Sequence, residues 1–310
     1  MPPALQAAVL GLVQGATEFL PVSSTAHLIL ARAFFGFDAD QFGLPFDVAC
    51  HVGTLIAVVI YFRADIVRMI AALPRVFTPP VAPAASAAAA SPAGQVGAGA
   101  ARAGHYRTDG AARSGNGAAQ IDGARLIWLL AIGTIPAVVV GALFNNAIEE
   151  HLRTVPVIIV TLSVVGIGLF WAERMGAKRR DERSITYTEA FIIGCAQATA
   201  LIPGVSRSGA TLITALLIGL RRRDAAEFIF LLSVPAILAA AVHEAPKAVK
   251  AMGAIPGEAS LIAIGVVTSA IVGYMAIKYL IRYLGEHSLD AFGWYRLALA
   301  SVAAVWLWRG

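Results

Sequence analysis

One motif occurs twice in this chain, and each copy breaks an apolar run in a way that no lipid-exposed helix tolerates. The first copy reads Gly11-Leu-Val-Gln14-Gly-Ala-Thr-Glu18-Phe-Leu-Pro21-Val-Ser23-Ser24-Thr25-Ala-His27. The second reads Gly194-Cys-Ala-Gln197-Ala-Thr-Ala-Leu-Ile-Pro203-Gly-Val-Ser206-Arg207-Ser208-Gly209. Superposing Gln14 on Gln197 also superposes Val22-Ser23 on Val205-Ser206, with the prolines offset by one residue. Irregular backbone at membrane depth persists only where it is buried in protein or lines a cavity. The pattern therefore predicts two re-entrant helix–loop–helix hairpins, over about 4–35 and 188–220, in an inverted-topology repeat whose halves face each other near the midplane.

The rest of the chain fits a membrane protein. Hydrophobic residues make up 58% and charged residues 14%, where soluble domains carry about a quarter charged; the mean hydropathy is +0.73. The apolar runs are long and unalternating, so helices rather than a barrel are expected. Spans fall at about 47–62, 126–146, 154–172, 226–243, 259–281 and 290–308, each near one bilayer thickness. The fold class is thus an all-α integral membrane protein, with about six transmembrane helices plus the two hairpins. The start Met-Pro-Pro shows no basic n-region or cleavage site, which predicts no removed signal peptide. Cys50 and Cys195 both lie in apolar segments and read as small buried hydrophobes.

Charge in the connections sets the orientation. Arg63, Arg68, Arg75, Arg102, Arg107, Arg113 and Arg125 follow the first span, and Arg174, Lys178, Arg179, Arg180 and Arg183 follow the third. Placing both groups in the cytoplasm makes the intervening spans alternate correctly. Arg221, Arg222 and Arg223 then share that side, whereas Lys247 and Lys250 fall opposite, against the rule. The stretch 78–124, rich in Ala, Gly, Pro and Ser and holding His105 and Tyr106, reads as a disordered cytoplasmic loop. The whole is one membrane domain, 1–310, with 1–77 and 125–172 as its first half and 188–310 as its second. The net charge of +5 sits in these connections and not on a basic face interleaved with aromatics, which argues against nucleic-acid binding.

The two motif copies differ in their ionisable residues. Gln14 and Glu18 are one turn apart on one helical face, and a carboxylate inside a membrane segment defaults to a functional reading. Ser23, Ser24 and Thr25 follow Pro21 and can cap the next helix, whose N-terminus also suits an anion. His27, one turn further on, is a candidate acid or nucleophile. In the second copy Arg207 offers a planar fork for phosphate oxygens. Ser206, Ser208 and Thr211 add hydroxyls, and Gly209 lets backbone approach a ligand. Asp47 and His51, also one turn apart, are candidates for the outer mouth of the same pocket.

At these residues the chain resembles the undecaprenyl-diphosphate phosphatase family, also called the bacitracin-resistance family. The likeness rests on Gln14-x-x-x-Glu18 with Phe-Leu-Pro-Val-Ser-Ser-Thr-Ala-His27, and on Pro203-Gly-Val-Ser-Arg-Ser-Gly-Ala-Thr211. It continues through Phe46-Asp47, His51-Val-Gly-Thr-Leu and Glu227-Phe-x-Phe-Leu-Leu-x-x-Pro235, and covers the chain except 78–124. The resemblance implies a bacterial cytoplasmic-membrane enzyme that releases phosphate from undecaprenyl diphosphate, recycling the lipid carrier of cell-wall synthesis and conferring bacitracin resistance. It further implies a divalent cation, Mg2+ or Ca2+, held through Glu18 and Gln14, a pocket facing the periplasm, and the option of a homodimer among membrane lipids. Position 14 is Gln where many members have Glu, which removes one charge from that cation site.

Read together, the residues predict a polyprenyl diphosphate head between the hairpin tips with its tail in lipid. Arg207, with Ser23, Thr25, Ser206, Ser208, Gly209 and Thr211, would hold phosphate, and Glu18 would act as base or metal ligand. The nucleophile is left open among water, Ser24 and His27, with His27 favoured as the direct acid or nucleophile and Ser24 second. The alternative is a prenyl-phosphate flippase or transporter, because opposed broken helices with anion-binding N-termini also serve transport.

Overall fold

A computed structural model describes residues 1–38, 41–77, 121–251 and 258–309, the side chains of 44, 145, 149, 245–251 and 258 excepted. The α-helices, in chain order, are α1 (Pro3–Thr17), α2 (Ser24–Phe35), α3 (Leu44–Tyr61), α4 (Arg63–Ala72), α5 (Gly123–Leu152), α6 (Val155–Met175), α7 (Tyr187–Thr199), α8 (Arg207–Leu217), α9 (Arg222–Ala251), α10 (Glu258–Glu286) and α11 (Asp290–Arg309). The β-structure among the described residues is an isolated bridge between Arg180 and Leu220.

Among the described residues, five stretches are long and apolar enough to cross a bilayer: Gly123–Phe144, Val155–Met175, Arg222–Glu244, Ala259–Glu286 and Asp290–Arg309. The chain is a multi-pass membrane protein. The span expected at 47–62 is α3, whose apolar stretch Pro45–Tyr61 is shorter. Large apolar side chains such as Val138, Val164, Ile271 and Trp294 face outward, as a protein solvated by lipid requires. Cys50 is buried, but Cys195 is exposed. It shares an outward face of α7 with Phe191, four residues earlier, and a thiol is apolar enough to sit there.

The helix packing repeats itself. α1 packs along α10 as α7 packs along α5, α3 packs on α10 as α9 does on α5, α3 meets α9, and α6 meets α11. Exchanging α1 with α7, α3 with α9, α5 with α10 and α6 with α11 leaves these pairings unchanged. The close crossings use glycine. A Cβ added to Gly11 would lie 2.7 Å from the Gly265 carbonyl oxygen, and one added to Gly194 would meet the Gly133 carbonyl. Gly11 and Gly194 hold the same place in the two motif copies, and bare backbone there permits a helix–helix approach that a side chain would block.

Ion pairs mark two ends of the bundle, with α6 running between them. At the start of α6, Arg153 Nη2 lies 2.9 Å from Asp47 Oδ2, and Arg32 at the end of α2 pairs with the same carboxylate. At the far end of α6, Glu173 accepts from Arg222 and from the Leu289 N–H at 3.2 Å, with Lys178 Nζ at 3.3 Å. There Arg180 also donates to Glu189 at 2.6 Å and to the Ile218 carbonyl at 3.1 Å, tying the start of α7 to the end of α8. The α1–α2 hairpin is thus anchored at one end of α6 and the α7–α8 hairpin at the other.

The connection read as 78–124, with His105 and Tyr106, lies outside the described residues up to 120. At its end Asp122 caps α5 by accepting from the Ala124 and Arg125 N–H groups. The side chains of Lys247 and Lys250 are likewise outside the described set.

Candidate active site

Both hairpins turn in the same way. After α1 the chain passes through Glu18–Val22 to Ser23, and after α7 through Ala200–Val205 to Ser206. Ser23 has φ 76° and ψ 96°; Ser206, its equivalent in the repeat, has φ 75° and ψ 117°. Positive φ is uncommon for a residue with a side chain and needs surrounding structure to hold it. Each serine caps the helix that follows. Ser23 Oγ accepts from the Ala26 N–H at 3.3 Å, and Ser206 Oγ accepts from the Gly209 N–H at 3.1 Å. The tips touch, because Ser208 Oγ donates to the Leu20 carbonyl at 2.9 Å.

Between the tips lies a polar cleft whose empty space, mouth included, is about 330 Å³. Glu18, Ser23, Ser24 and Thr25 line it from the first hairpin, His51 from α3, and Gly204, Ser206 and Arg207 from the second. Since α2 begins at Ser24 and α8 at Arg207, two helix N-termini border one cleft. Their free N–H groups and dipoles both favour a negative ligand.

Glu18 sits at the centre of the cleft's hydrogen bonding. Ser24 Oγ donates to its Oε2 at 2.7 Å, and Gln14 Nε2 donates to the same oxygen at 2.9 Å. His51 Nε2 is 3.5 Å from Oε2, and Arg207 Nη2 is 3.8 Å from Oε1. His51 Nδ1 lies 2.8 Å from the Asp47 carbonyl. A carbonyl only accepts, so Nδ1 carries a proton and Nε2 is the nitrogen that faces Glu18 in the cleft. Arg207 Nη1 and Gln14 Oε1 are both buried without a hydrogen-bond partner among the described residues.

The expected site residues divide into three groups. Glu18, Ser23, Ser24, Thr25, Ser206 and Arg207 come together on the cleft, with Gln14 directly behind Glu18. Ser208, Gly209 and Thr211 serve the scaffold instead. Ser208 joins the tips, the Gly209 N–H completes the cap, and Thr211 Oγ1 donates back to the Arg207 carbonyl at 2.7 Å.

His27 is turned away, and the structure does not bring it to the cleft. Its Nδ1 is 2.7 Å from the Ser23 carbonyl, its Nε2 is 2.7 Å from the Tyr295 hydroxyl, and its ring stacks on that tyrosine at 5.6 Å. Nε2 is engaged by α11 and Nδ1 by the carbonyl of its own hairpin's cap serine, so the imidazole that lines the cleft is His51. The signals for it in the sequence are the one-turn spacing of Asp47 and His51 and the family-like run His51-Val-Gly-Thr-Leu.

Among the described residues no three His, Cys, Asp or Glu side chains form a metal cage. A hard cation working on phosphates does not need one, since one or two protein oxygens plus phosphate oxygens and water complete its shell. The Glu18 carboxylate and the unpartnered Gln14 Oε1 supply that much.

The profile of the family described as "Bacitracin resistance protein BacA" matches residues 7–302. The chain is 41% identical over 304 residues to the undecaprenyl-diphosphatase of Rubrobacter xylanophilus, covering 98% of each chain. It is 40% identical over 307 residues to that of Moorella thermoacetica, covering 98% of this chain and 99% of the other. It is 38% identical over 295 residues to that of Trichlorobacter lovleyi, covering 95% and 93%. With the likeness running from α1 to α11 and through both hairpin tips, the chain belongs to the BacA bacitracin-resistance family.

Proposed function

We propose that this protein hydrolyses undecaprenyl diphosphate to undecaprenyl phosphate and inorganic phosphate, thereby recycling the cell-wall lipid carrier and conferring bacitracin resistance. The observation that carries the reading is the pairing, across one cleft, of a Ser24–Glu18 hydrogen bond at 2.7 Å with a buried Arg207 Nη1 that has no partner among the described residues. A nucleophile on its base faces a cation with donor capacity to spare, which is the arrangement phosphoryl transfer requires.

Glu18 takes the proton of Ser24 Oγ as that oxygen attacks the terminal phosphorus. The bond from phosphorus to the bridging oxygen breaks, and undecaprenyl phosphate departs with the bonding pair. Arg207 and the N-termini of α2 and α8 stabilise the charge gathering on the equatorial oxygens. His51 Nε2, 3.5 Å from Glu18, carries the proton onward so that the base is restored. Water then gives a proton to Glu18 as it attacks the phosphoserine; the bond from phosphorus to Ser24 Oγ breaks, Oγ regains a proton and inorganic phosphate leaves. A divalent cation, Mg2+ or Ca2+, would be held by Glu18 and Gln14 Oε1 and would neutralise phosphate charge when bound.

The topology that serves this chemistry is six spans with two re-entrant hairpins entering from opposite sides. Anchorage at opposite ends of α6 supports it, as do the matched caps Ser23 and Ser206. The cleft would open to the periplasm, with the arginine-rich connections in the cytoplasm. Transport is the second reading, favoured by the exchange-symmetric packing of the two halves. It has no use for Ser24 bonded to Glu18 with His51 beside them.

Phosphate release from undecaprenyl diphosphate by the purified protein in detergent with magnesium tests the proposal. Turnover in the parent should fall on the order of 10³-fold or more in a folded Ser24→Ala variant. Saturable binding of undecaprenyl phosphate without any release would replace the hydrolase by a translocator.

A further inference from the structure

Arg296 lies on α11, far from both motifs in sequence, and is completely buried at 0% exposure. Every hydrogen bond it makes goes to a main-chain carbonyl. Nε donates to Leu162 at 3.2 Å and Nη1 to Pro21 at 3.2 Å. Nη2 donates to Gly204 at 2.7 Å, and to Thr161 and Val205 at 3.2 Å each. One guanidinium thus joins three segments: α6, the turn of the first hairpin and the turn of the second.

The carbonyls it selects are informative. In the alignment that superposes Gln14 on Gln197, Pro21 coincides with Gly204. Arg296 therefore grips the same peptide in both halves of the repeat. Two residues beyond each of those peptides stands the cap serine with φ near 75°, Ser23 in one tip and Ser206 in the other. The next residue along is Ser24 in the first tip and Arg207 in the second. On the cleft side the tips are tied by Ser208 Oγ, 2.9 Å from the Leu20 carbonyl and 3.5 Å from that of Glu18, and by the Arg207–Glu18 pair at 3.8 Å. A buried cation is costly unless its surroundings satisfy it, and here the satisfying groups are the carbonyls that leave the tip helices free to turn their N–H ends to the cleft.

We propose that Arg296 is the positioning residue of the reaction: it sets the separation and orientation of the two hairpin tips, and so of Ser24 and Glu18 relative to Arg207, without touching substrate. The inference rests on the phosphatase reading and adds to it what keeps the two half-sites in register. Only a planar fork with five donors reaches carbonyls of three segments at once; a lysine ammonium presents three donors from a single point. Misplacing reacting groups by about 1 Å costs on the order of 10²-fold in rate, whereas grip on a substrate by its lipid tail is left intact.

The test compares Arg296→Gln and Arg296→Lys in the full-length detergent-solubilised protein, measuring kcat, KM and melting temperature with undecaprenyl diphosphate. In Arg296→Gln, kcat should fall about 10²-fold while KM stays within about threefold of the parent. Arg296→Lys should recover part of kcat, on the order of tenfold, at the same KM. Combining Arg296→Gln with Arg207→Lys should cost far less than the product of the single effects, because both disturb one alignment. Where the glutamine variant does not fold, the lysine variant decides by the same split of kcat from KM. Unchanged kcat in a folded variant overturns the proposal, and so does a loss of kcat, KM and melting temperature in step. An inactive parent would instead strike at the phosphatase reading itself.

Discussion

The two hairpins are one scaffold carrying two chemistries. Each has a glycine at its helix crossing, a glutamine one turn later, a cap serine at φ near 75°, and a cap bond to the N–H three residues on. Yet where the first hairpin has Glu18, Ser24 and His27, the second has Leu201, Arg207 and Ala210. Gln14 reaches forward to Glu18 at 2.9 Å, while Gln197 finds the Gly133 carbonyl at a long 3.5 Å. The shared backbone presents two helix N-termini to one cleft. In the proposed reaction the substitutions on it divide the labour, with nucleophile and base on one side and a permanent cation on the other. A site that only carries an anion across a membrane could leave the halves alike; a site that breaks a bond gains from making them differ.

The sharpest way to break this comparison is to erase the difference. Glu18→Gln keeps size and hydrogen bonding but removes the base, so kcat for phosphate release should fall about 10³-fold, within the usual range for losing a positioned base. Placing a carboxylate at the equivalent site of the other hairpin, Leu201→Glu, should restore none of it. Recovery of activity in that double variant would show the halves to be interchangeable. Arg207→Lys preserves the charge and loses the fork, and should cost about 10²-fold in kcat/KM. An equal loss in affinity for undecaprenyl phosphate, with kcat untouched, would reduce Arg207 to a ground-state anchor.

Much of this scaffold could be read directly from the repeated motif. The broken arms, the cap serines and five candidate spans all follow from Pro, Ser and hydrophobic run length, while the stretch expected at 47–62 is the shorter apolar helix α3. What could not be read is set by contacts distant in sequence. His27 is claimed by Tyr295, 268 residues away, and no local pattern announces that bond. Thr211 looks like a ligand hydroxyl but, inside a helix, its oxygen folds back to the carbonyl one turn earlier. Arg296 had one visible mark, a lone arginine within an apolar span, and such residues deserve a functional question wherever they occur.

The histidines sharpen the comparison further. His51 faces Glu18 and His27 faces α11, so the two should respond differently to the same change. His51→Gln should lower kcat by about 10-fold to 10²-fold and flatten the pH–rate profile, since glutamine cannot exchange a proton. His27→Gln retains a hydrogen bond toward Tyr295 or Ser23 and should cost about tenfold or less, with the profile keeping its shape. If His27→Gln flattened the profile and His51→Gln did not, the proton path would run through α2.

The smallest expected effect lies where the second hairpin is anchored, outside the membrane-spanning segments. Arg180 holds the Glu189 carboxyl at about 2, well below its ordinary 4.5, by donating to both of its oxygens. Glu189 also accepts from the Thr186 N–H and so closes the cap of α7. Because the folded-state value is depressed, this pairing stabilises the fold fully above about 4.5 and is lost as pH falls toward about 2. The pair is partly exposed, so solvent screens it and the effect on melting temperature should be about one to three degrees. Glu189→Gln should therefore melt slightly below the parent at pH 6, and the two curves should converge as pH drops from 4.5 toward 2. Curves that stay parallel across that window would mean that the tip-to-tip contacts and Arg296 hold the second hairpin without help from its base.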